Sequence, residues 1–301
     1  AFGENGFHTY ALHGDVPTFW NRSNMYPNLG YQDQISKDDY IMTRVVGHGP
    51  SPLGDEDFLT QSVAKMQTFK QPFMATAITI SSHTPFELPQ DLQTLQIPSD
   101  TTLSYTQQQY LESVRYADMA IGEFIDGLKK AGLYDNSVIF IYGDHESFTE
   151  ISKALGTGDA TLPVLQDSQV PLIVLNSGIT PQQNVVPMSH LDLYPTILNL
   201  WALPPQPGVL GQDIFNTKTP VVTRRNLFSG TINEILTDKL AFKQDADGDF
   251  ENSTCLQEPT ETSLPIDDCR VLYLQQENIV KASDIIVRGN LLNYYISNLP
   301  K

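Results

Sequence analysis

The 301-residue chain is short of three things: cysteine, basic side chains and long apolar runs. Cys255 and Cys269 are its only cysteines, and neither opens the C-x-x-C spacing of a zinc or thiol-redox site. Two uses of the pair stay open. A local disulfide would place the chain in an oxidising, extracytoplasmic compartment, whereas two free thiols would suit a cytosolic loop. Lys and Arg number 18 against 35 Asp and Glu, for a formal charge of -17. That balance repels a polyanion and supplies no basic stripe, which excludes nucleic acid as a partner. It also offers little attraction to an anionic membrane surface, and no run approaches the roughly 18 apolar residues of a spanning helix. Internal repeats, low-complexity tracts and a signal peptide are absent as well. The opening Ala1–Phe7 reads as a last helical turn, a glycine stop and entry to a strand, so a preceding segment is expected.

What is present is an alternation of strand and helix patterns. His8 to Leu12 sets Tyr10 and Leu12 against Thr9 and Ala11, the period of a half-buried strand. Asp57 to Phe69 has helical spacing and leads into a strand over Phe73 to Ile80. Thr106 to Ala131 places Tyr110, Val114, Ala117, Ile121, Phe124, Ile125 and Leu128 on one helical face, with Gly132 as a stop. Val138 to Tyr142 and Val170 to Leu175 are apolar runs of the kind covered on both faces, and His190 to Leu200 reads as a helix. This order predicts an α/β fold with a largely parallel sheet flanked by helices. After Pro204–Gly208 the texture changes. Leu227 to Ile232, Lys239 to Lys243 and Arg270 to Leu274 read as short strands, and Asp284 to Tyr295 as a strand or helix. The expected division is a major domain over 1–208 and a small antiparallel C-terminal subdomain over 209–301.

Polar residues cluster where predicted strands end, the edge at which open α/β sheets bind ligands. His13, Asp15, Trp20 and Arg22 follow the first strand, Ser82-His83-Thr84 the second and Asp144-His145 the third. Arg22 can grip phosphate oxygens through its planar fork, and Trp20 can pack on an apolar or sugar-like group. The competing reading is a polar loop in which Trp20 belongs to the core and Arg22 pairs with Asp15. Asp144 and His145 offer an oxygen and a nitrogen to one divalent ion, manganese, zinc or magnesium, or else form a surface turn. His190 either approaches that site or caps its own helix. Asp245 to Glu251 has calcium-loop acidity, but Gly248 falls at the fourth place instead of the sixth, so a hairpin turn is expected.

Taken in order, His13-Gly14-Asp15, Phe19-Trp20-Asn21-Arg22, Met25-Tyr26, Ser82-His83-Thr84-Pro85-Phe86, Tyr142-Gly143-Asp144-His145, Asp192-Leu193-Tyr194-Pro195 and Gly211-Gln212-Asp213 resemble the lipoteichoic acid synthase family of the alkaline phosphatase and sulfatase superfamily. The resemblance implies a membrane-anchored, extracytoplasmic transferase that moves glycerol phosphate from phosphatidylglycerol to a polyglycerol phosphate or glycolipid acceptor. It implies one manganese ion, with magnesium or zinc as alternatives, held in part by Asp144 and His145. It further implies that His13, Asp15, Trp20, Arg22 and His83 bind the donor headgroup, with His83 also serving the chemistry. His13 and His83 would donate to phosphate or serve the leaving and attacking hydroxyls.

The family's metal-binding glutamate and nucleophilic threonine precede the FWNR element, and neither Glu4 nor Thr9 sits in a matching motif. The nucleophile, the remaining ligand and the membrane anchor are therefore expected in an upstream segment, and this chain alone is expected to be inactive. The family offers no role for the Cys255 and Cys269 segment. Neither cysteine begins the C-x-P-x-R motif of a sulfatase nucleophile. A phosphoethanolamine transferase or phosphodiesterase of the same superfamily, and a non-catalytic phosphate-binding fragment, are the rival readings.

Overall fold

A computed structural model describes residues 1–46, 53–146, 151, 155, 169–183, 186–204, 208–226 and 228–298. The chain divides into two units. One is built on Ala1–Tyr142 and Pro171–Gly178, the other on Gly143–Glu146 and Ile179–Lys301.

The first unit centres on a parallel sheet of β1 (His8–His13), β2 (Asp33–Ile35) and β3 (Phe73–Ile78), ordered β2-β1-β3. The 3-10 turn Gly3–Asn5 ends at Gly6 in the left-handed region and releases the chain into β1. β1 was expected to be half-buried, but everything from Thr9 to His13 is buried. As the middle strand it has a neighbour on either side, and its polar members are taken up by specific bonds. Thr9, for example, bonds Gly30 O and the Gln32 side chain.

Two helices pack on this sheet, α2 (Asp55–Met66) and α3 (Tyr105–Lys130), while the short α1 (Arg22–Asn28) follows the loop after β1. Phe58, Leu59, Val63 and Met66 of α2 join Tyr10, Leu12, Ala120 and Leu128 in one core. Each of the larger side chains contributes about 1.5–3 kcal/mol on burial. α3 begins at a capping box, Ser104 accepting from the Gln107 amide while the Gln107 side chain accepts from the Ser104 amide. Gly132 ends it at φ 71°. β4 (Ile139–Tyr142) and β5 (Leu172–Leu175) pair antiparallel, Ile139 with Leu175 and Tyr142 with Leu172. The α/β fold with a parallel sheet flanked by helices is thus formed; among the described residues its parallel pairs are those of β1 with β2 and β3, while β4 and β5 pair apart from them.

The second unit holds α4 (Leu193–Leu200) and an antiparallel sheet ordered β10-β9-β8-β7-β6. Its strands are β6 (Val221–Arg225), β7 (Ile232–Thr237), β8 (Leu240–Lys243), β9 (Thr254–Gln257) and β10 (Thr262–Leu264). Asp245 to Glu251 lies in the turn between the antiparallel neighbours β8 and β9. The strand expected over Arg270 to Leu274 is instead part of α5 (Asp267–Arg288), which is followed by α6 (Leu292–Ser297). Five residues are too few to separate the two periods. In the longer window Cys269, Leu272, Tyr273 and Val280 turn to the core with Ile235 and Phe242, at helical spacing. Cys255 on β9 and Cys269 on α5 form a disulfide.

Candidate functional site

His13 ends β1 with its ring almost wholly enclosed, 2 % exposed. Its Nδ1 lies 2.9 Å from the Ile78 carbonyl of β3. A carbonyl only accepts, so Nδ1 carries the hydrogen and the neutral ring keeps its lone pair on Nε2. Burial lowers the His13 pKa, the Ile78 bond opposes that, the Arg22 charge lowers it further and Asp15 raises it. His13 Nε2, Asp15 Oδ2 and Arg22 Nη1 are all buried without a hydrogen-bond partner among the described residues. Each such atom costs about 1–3 kcal/mol. Three from one ten-residue stretch mark a place built for a polar ligand. The other Asp15 oxygen is fixed by the Val16 amide at 2.6 Å.

The connecting loop explains how Trp20 is displayed. Trp20 at φ 54° and Asn21 at φ 58° are left-handed, a backbone state that costs a non-glycine residue about 1–2 kcal/mol. Trp20 is 74 % exposed, so the reading that assigns it to the core is corrected. Arg22 and Asp15 form no ion pair, which corrects the other half of that reading; instead the Arg22 Cζ lies 5.7 Å from the centre of the Phe19 ring. Phe19 was part of the sequence motif but had no assigned task, and this cation–π contact gives it one: holding the guanidinium.

His83 leaves the same sheet edge, because β1 and β3 run parallel and end together at His13 and Ile78. Its amide donates to Ile80 O at 3.0 Å, and its Nδ1 lies 2.8 Å from Thr84 O. The base of this turn is held by Asp55, which the sequence reading missed. Asp55 Oδ1 accepts from the amides of Ile80 at 2.8 Å and Ser81 at 3.1 Å, and Ser81 Oγ accepts from the Asp55 amide at 3.0 Å. The preceding Gly54 is obligatory, since a Cβ there would meet Tyr116 Oη at 2.7 Å and Val46 Cγ2 at 2.9 Å. The available signal was an acidic residue opening a helix just upstream of a histidine-bearing strand, too common to single out.

Asp144 and His145 follow β4 and belong to the second unit. Both are exposed, and Asp144 Oδ2 lies 3.8 Å from His145 Nε2. His145 Nδ1 lies 2.9 Å from Glu146 O, the backbone contact that leaves Nε2 basic in metal-binding histidines. This oxygen and nitrogen fit as two ligands of a divalent ion. Among the described residues no group of three potential ligands is assembled. Neighbours in the unit brace the loop. His190 Nε2 donates to Gly143 O at 2.7 Å, and Arg224 pairs with Glu146 at 3.1 Å and Glu234 at 3.4 Å. His190 therefore acts on the loop backbone. Asp192 at the head of α4 accepts from the amides of Ser189 and Gln212, both at 2.7 Å, and a Cβ on Gly211 would run into the Leu191 carbonyl. The Asp192 and Gly211 motifs are thus structural.

His13, His83 and His145 share one arrangement: Nδ1 is tied to a backbone carbonyl and the basic nitrogen is Nε2. No helix among the described residues is long and apolar enough to cross a membrane.

A family model described as Sulfatase matches residues 1–202. The lipoteichoic acid synthase 1 of Bacillus subtilis is 35% identical over 221 residues, covering 71% of this chain and 34% of that protein. The lipoteichoic acid synthase of Staphylococcus aureus (strain USA300) is 29% identical over 315 aligned positions, covering 97% and 44%. The crystal structure of the lipoteichoic acid synthase LtaP from Listeria monocytogenes superposes with a TM-score of 0.81 at 25% identity, covering 99% of this chain and 72% of that one. The chain therefore spans less than half the length of these curated relatives. With most of its length matched by the family model, the chain belongs to the sulfatase family, where its relatives by sequence and structure are lipoteichoic acid synthases.

Proposed function

We propose that this chain is part of an extracytoplasmic transferase that moves glycerol phosphate from phosphatidylglycerol to a polyglycerol phosphate or glycolipid acceptor. The observation that carries this reading is the trio of buried, unpartnered atoms at the end of β1: a guanidinium N–H, an imidazole lone pair and a carboxylate oxygen. A glycerol phosphate ester offers the complements, an anion for Arg22 and hydroxyls that donate to His13 Nε2 and Asp15 Oδ2. Trp20 would wall the headgroup on the solvent side. The buried Cys255–Cys269 disulfide supports an oxidising compartment.

In the first half-reaction a nucleophilic oxygen bonds to phosphorus, the bond to the diacylglycerol oxygen breaks, and diacylglycerol leaves with a proton. In the second, an acceptor hydroxyl bonds to phosphorus, gives up its proton and displaces the nucleophile. Arg22 offsets charge on the phosphoryl oxygens through both steps. His83 Nε2 is assigned the proton at the leaving and attacking oxygens. With Nδ1 against the Ile78 carbonyl, His13 is assigned to the hydroxyls through Nε2. The nucleophile, a threonine in the resembling family, is assigned to a segment outside this sequence together with the remaining metal ligand and the membrane anchor. A divalent ion, manganese by resemblance with magnesium or zinc as alternatives, would be held by Asp144 and His145 and would supply Lewis-acid chemistry when bound.

The test offers the chain, joined to its upstream segment, vesicles of headgroup-labelled phosphatidylglycerol or phosphatidylethanolamine and measures diacylglycerol release and label transfer to acceptor. Turnover of phosphatidylglycerol alone is expected. Preference for phosphatidylethanolamine, or binding of glycerol phosphate without any transfer, would replace this reading by one of its rivals.

A further inference from the structure

Tyr26 lies one helical turn after Arg22 on α1, at the i,i+4 spacing that puts both side chains on one face. Its side chain is 5 % exposed, and its O–H has no acceptor among the described residues. Burial raises the Tyr26 pKa, and the charge and side-chain hydrogen bond of the adjacent Arg22 guanidinium partly offset that, so the hydroxyl stays protonated. Arg22 carries donors only, so it leaves the Tyr26 O–H without an acceptor. Tyr31 provides an internal contrast. The two rings meet edge to face with centroids 5.3 Å apart, yet the Tyr31 hydroxyl is satisfied, 2.7 Å from Thr76 Oγ1. A buried tyrosine hydroxyl ordinarily finds a partner, and phenylalanine would fill the same space without the desolvation cost. Tyr26 carries an O–H for which the described residues supply no acceptor, next to a guanidinium whose Nη1 also lacks one.

Two donors side by side, one cationic, call for a shared anionic acceptor. We infer that the Tyr26 hydroxyl donates to a phosphate oxygen of the ligand alongside Arg22 Nη1, which makes Tyr26 a specificity-determining residue of the phosphate subsite. The inference rests on the phosphate-ester reading above and adds a donor to it. A neutral sugar lacks the charged oxygens that would engage both donors, while the glycerol hydroxyls are left to donate to His13 Nε2 and Asp15 Oδ2.

Calorimetric titration of the protein with inorganic phosphate, glycerol phosphate and glycerol, for wild type, Tyr26→Phe and Tyr31→Phe, tests this directly. Tyr26→Phe is expected to weaken inorganic phosphate and glycerol phosphate about tenfold each, the worth of one hydrogen bond to a charged group, with a Tm equal to or above wild type. Tyr31→Phe is expected to lower the Tm and leave both affinities within about twofold of wild type. A merely structural Tyr26 would show the Tyr31 pattern, and that result overturns the inference, as does an unchanged affinity in Tyr26→Phe. A loss confined to glycerol phosphate overturns it by moving the hydroxyl to the glycerol moiety. If wild type binds neither phosphate ligand, the phosphate-ester reading and this inference fall together. If wild type binds phosphate but transfers nothing from phosphatidylglycerol, only the transferase reading falls, and the Tyr26 comparison still decides the inference.

Discussion

His13 and Ile78 are register partners across β1 and β3, and the His13 ring returns to the same partner, its Nδ1 2.9 Å from the Ile78 carbonyl. The strand pairing that builds the sheet therefore also decides which ring nitrogen faces the ligand. With Nδ1 committed, the neutral ring can only accept through Nε2. The His13 pKa is held below its ordinary 6.5, mainly by burial. Protonation would place a charge in an enclosed site and remove the acceptor, so headgroup binding should persist as pH falls through 6.5 and fail only below it. The sign for stability follows, because between the folded and unfolded pKa values the unfolded chain binds more protons. Stability falls with pH below about 6.5 until the folded pKa is reached. A pH series of glycerol phosphate affinity in wild type and His13→Asn measures this. An acid limb at or above 6.5 in wild type would contradict a neutral, accepting His13.

Asp55 should separate backbone support from charge. Asp55→Ala removes the acceptor of the Ile80 and Ser81 amides and is expected to cost about 2–4 kcal/mol while lowering turnover through the displaced His83 turn. Asp55→Asn keeps an acceptor oxygen and should restore both. Burial raises the Asp55 pKa, so its stabilising contribution is full below the unfolded value and declines as pH rises through the folded one. Asp55→Asn should accordingly flatten the acid part of the stability profile. Denaturant melts at several pH values, read beside kcat, distinguish these outcomes, and equal destabilisation by Asn and Ala would overturn the argument that the acceptor oxygen is what holds the turn.

Asp144 and His145 should behave in the opposite way. Both side chains are exposed, 80% and 53%, so Asp144→Ala and His145→Ala are expected to shift stability by no more than about 0.5 kcal/mol. If they hold the proposed ion, each abolishes transfer, and a chelator does the same to wild type with recovery on adding manganese. Turnover that survives both substitutions would exclude them from the metal site.

The disulfide should matter to the second unit alone. It closes a separation of 14 residues between β9 and α5, and its loss by Cys255→Ala with Cys269→Ala is expected to cost about 3 kcal/mol. Because the two sulfurs are bonded to each other, thiol alkylation of the folded and the unreduced, denatured protein should label neither. Labelling under either condition would assign them as free thiols.

Much of this architecture is readable from local pattern. The helical spacing of Phe58, Leu59, Val63 and Met66 and the long period from Tyr110 to Leu128 require amphipathic helices, and both form where expected. His13 ends β1 and Asp144 and His145 follow β4, because hydrophobic runs stop there and turn residues begin, while Arg22 opens α1 and His83 lies in the turn beyond β3. Other features were illegible for definite reasons. Arg270 to Leu274 fits two periods at once, and only its packing on the β6–β10 sheet makes it helical. Asp55 reads as an ordinary first-turn acid, since its function lies in amides 25 and 26 residues away.

The amino-acid sequence by itself determined the alternation of strand and helix, the excess of acidic over basic residues and the order of motifs that carries the family resemblance. These are properties of residue type and local spacing, which need no distant partner. Only the tertiary structure decided that β1 is central and buried, that Arg22 rests on Phe19 and not on Asp15, and that His13 Nδ1 is committed to the Ile78 carbonyl. It also decided that the Tyr31 hydroxyl is satisfied while that of Tyr26 is not. Each of these depends on which chain segment lies opposite another, and a hydrogen bond over a few ångströms across the fold leaves no periodic trace in the sequence.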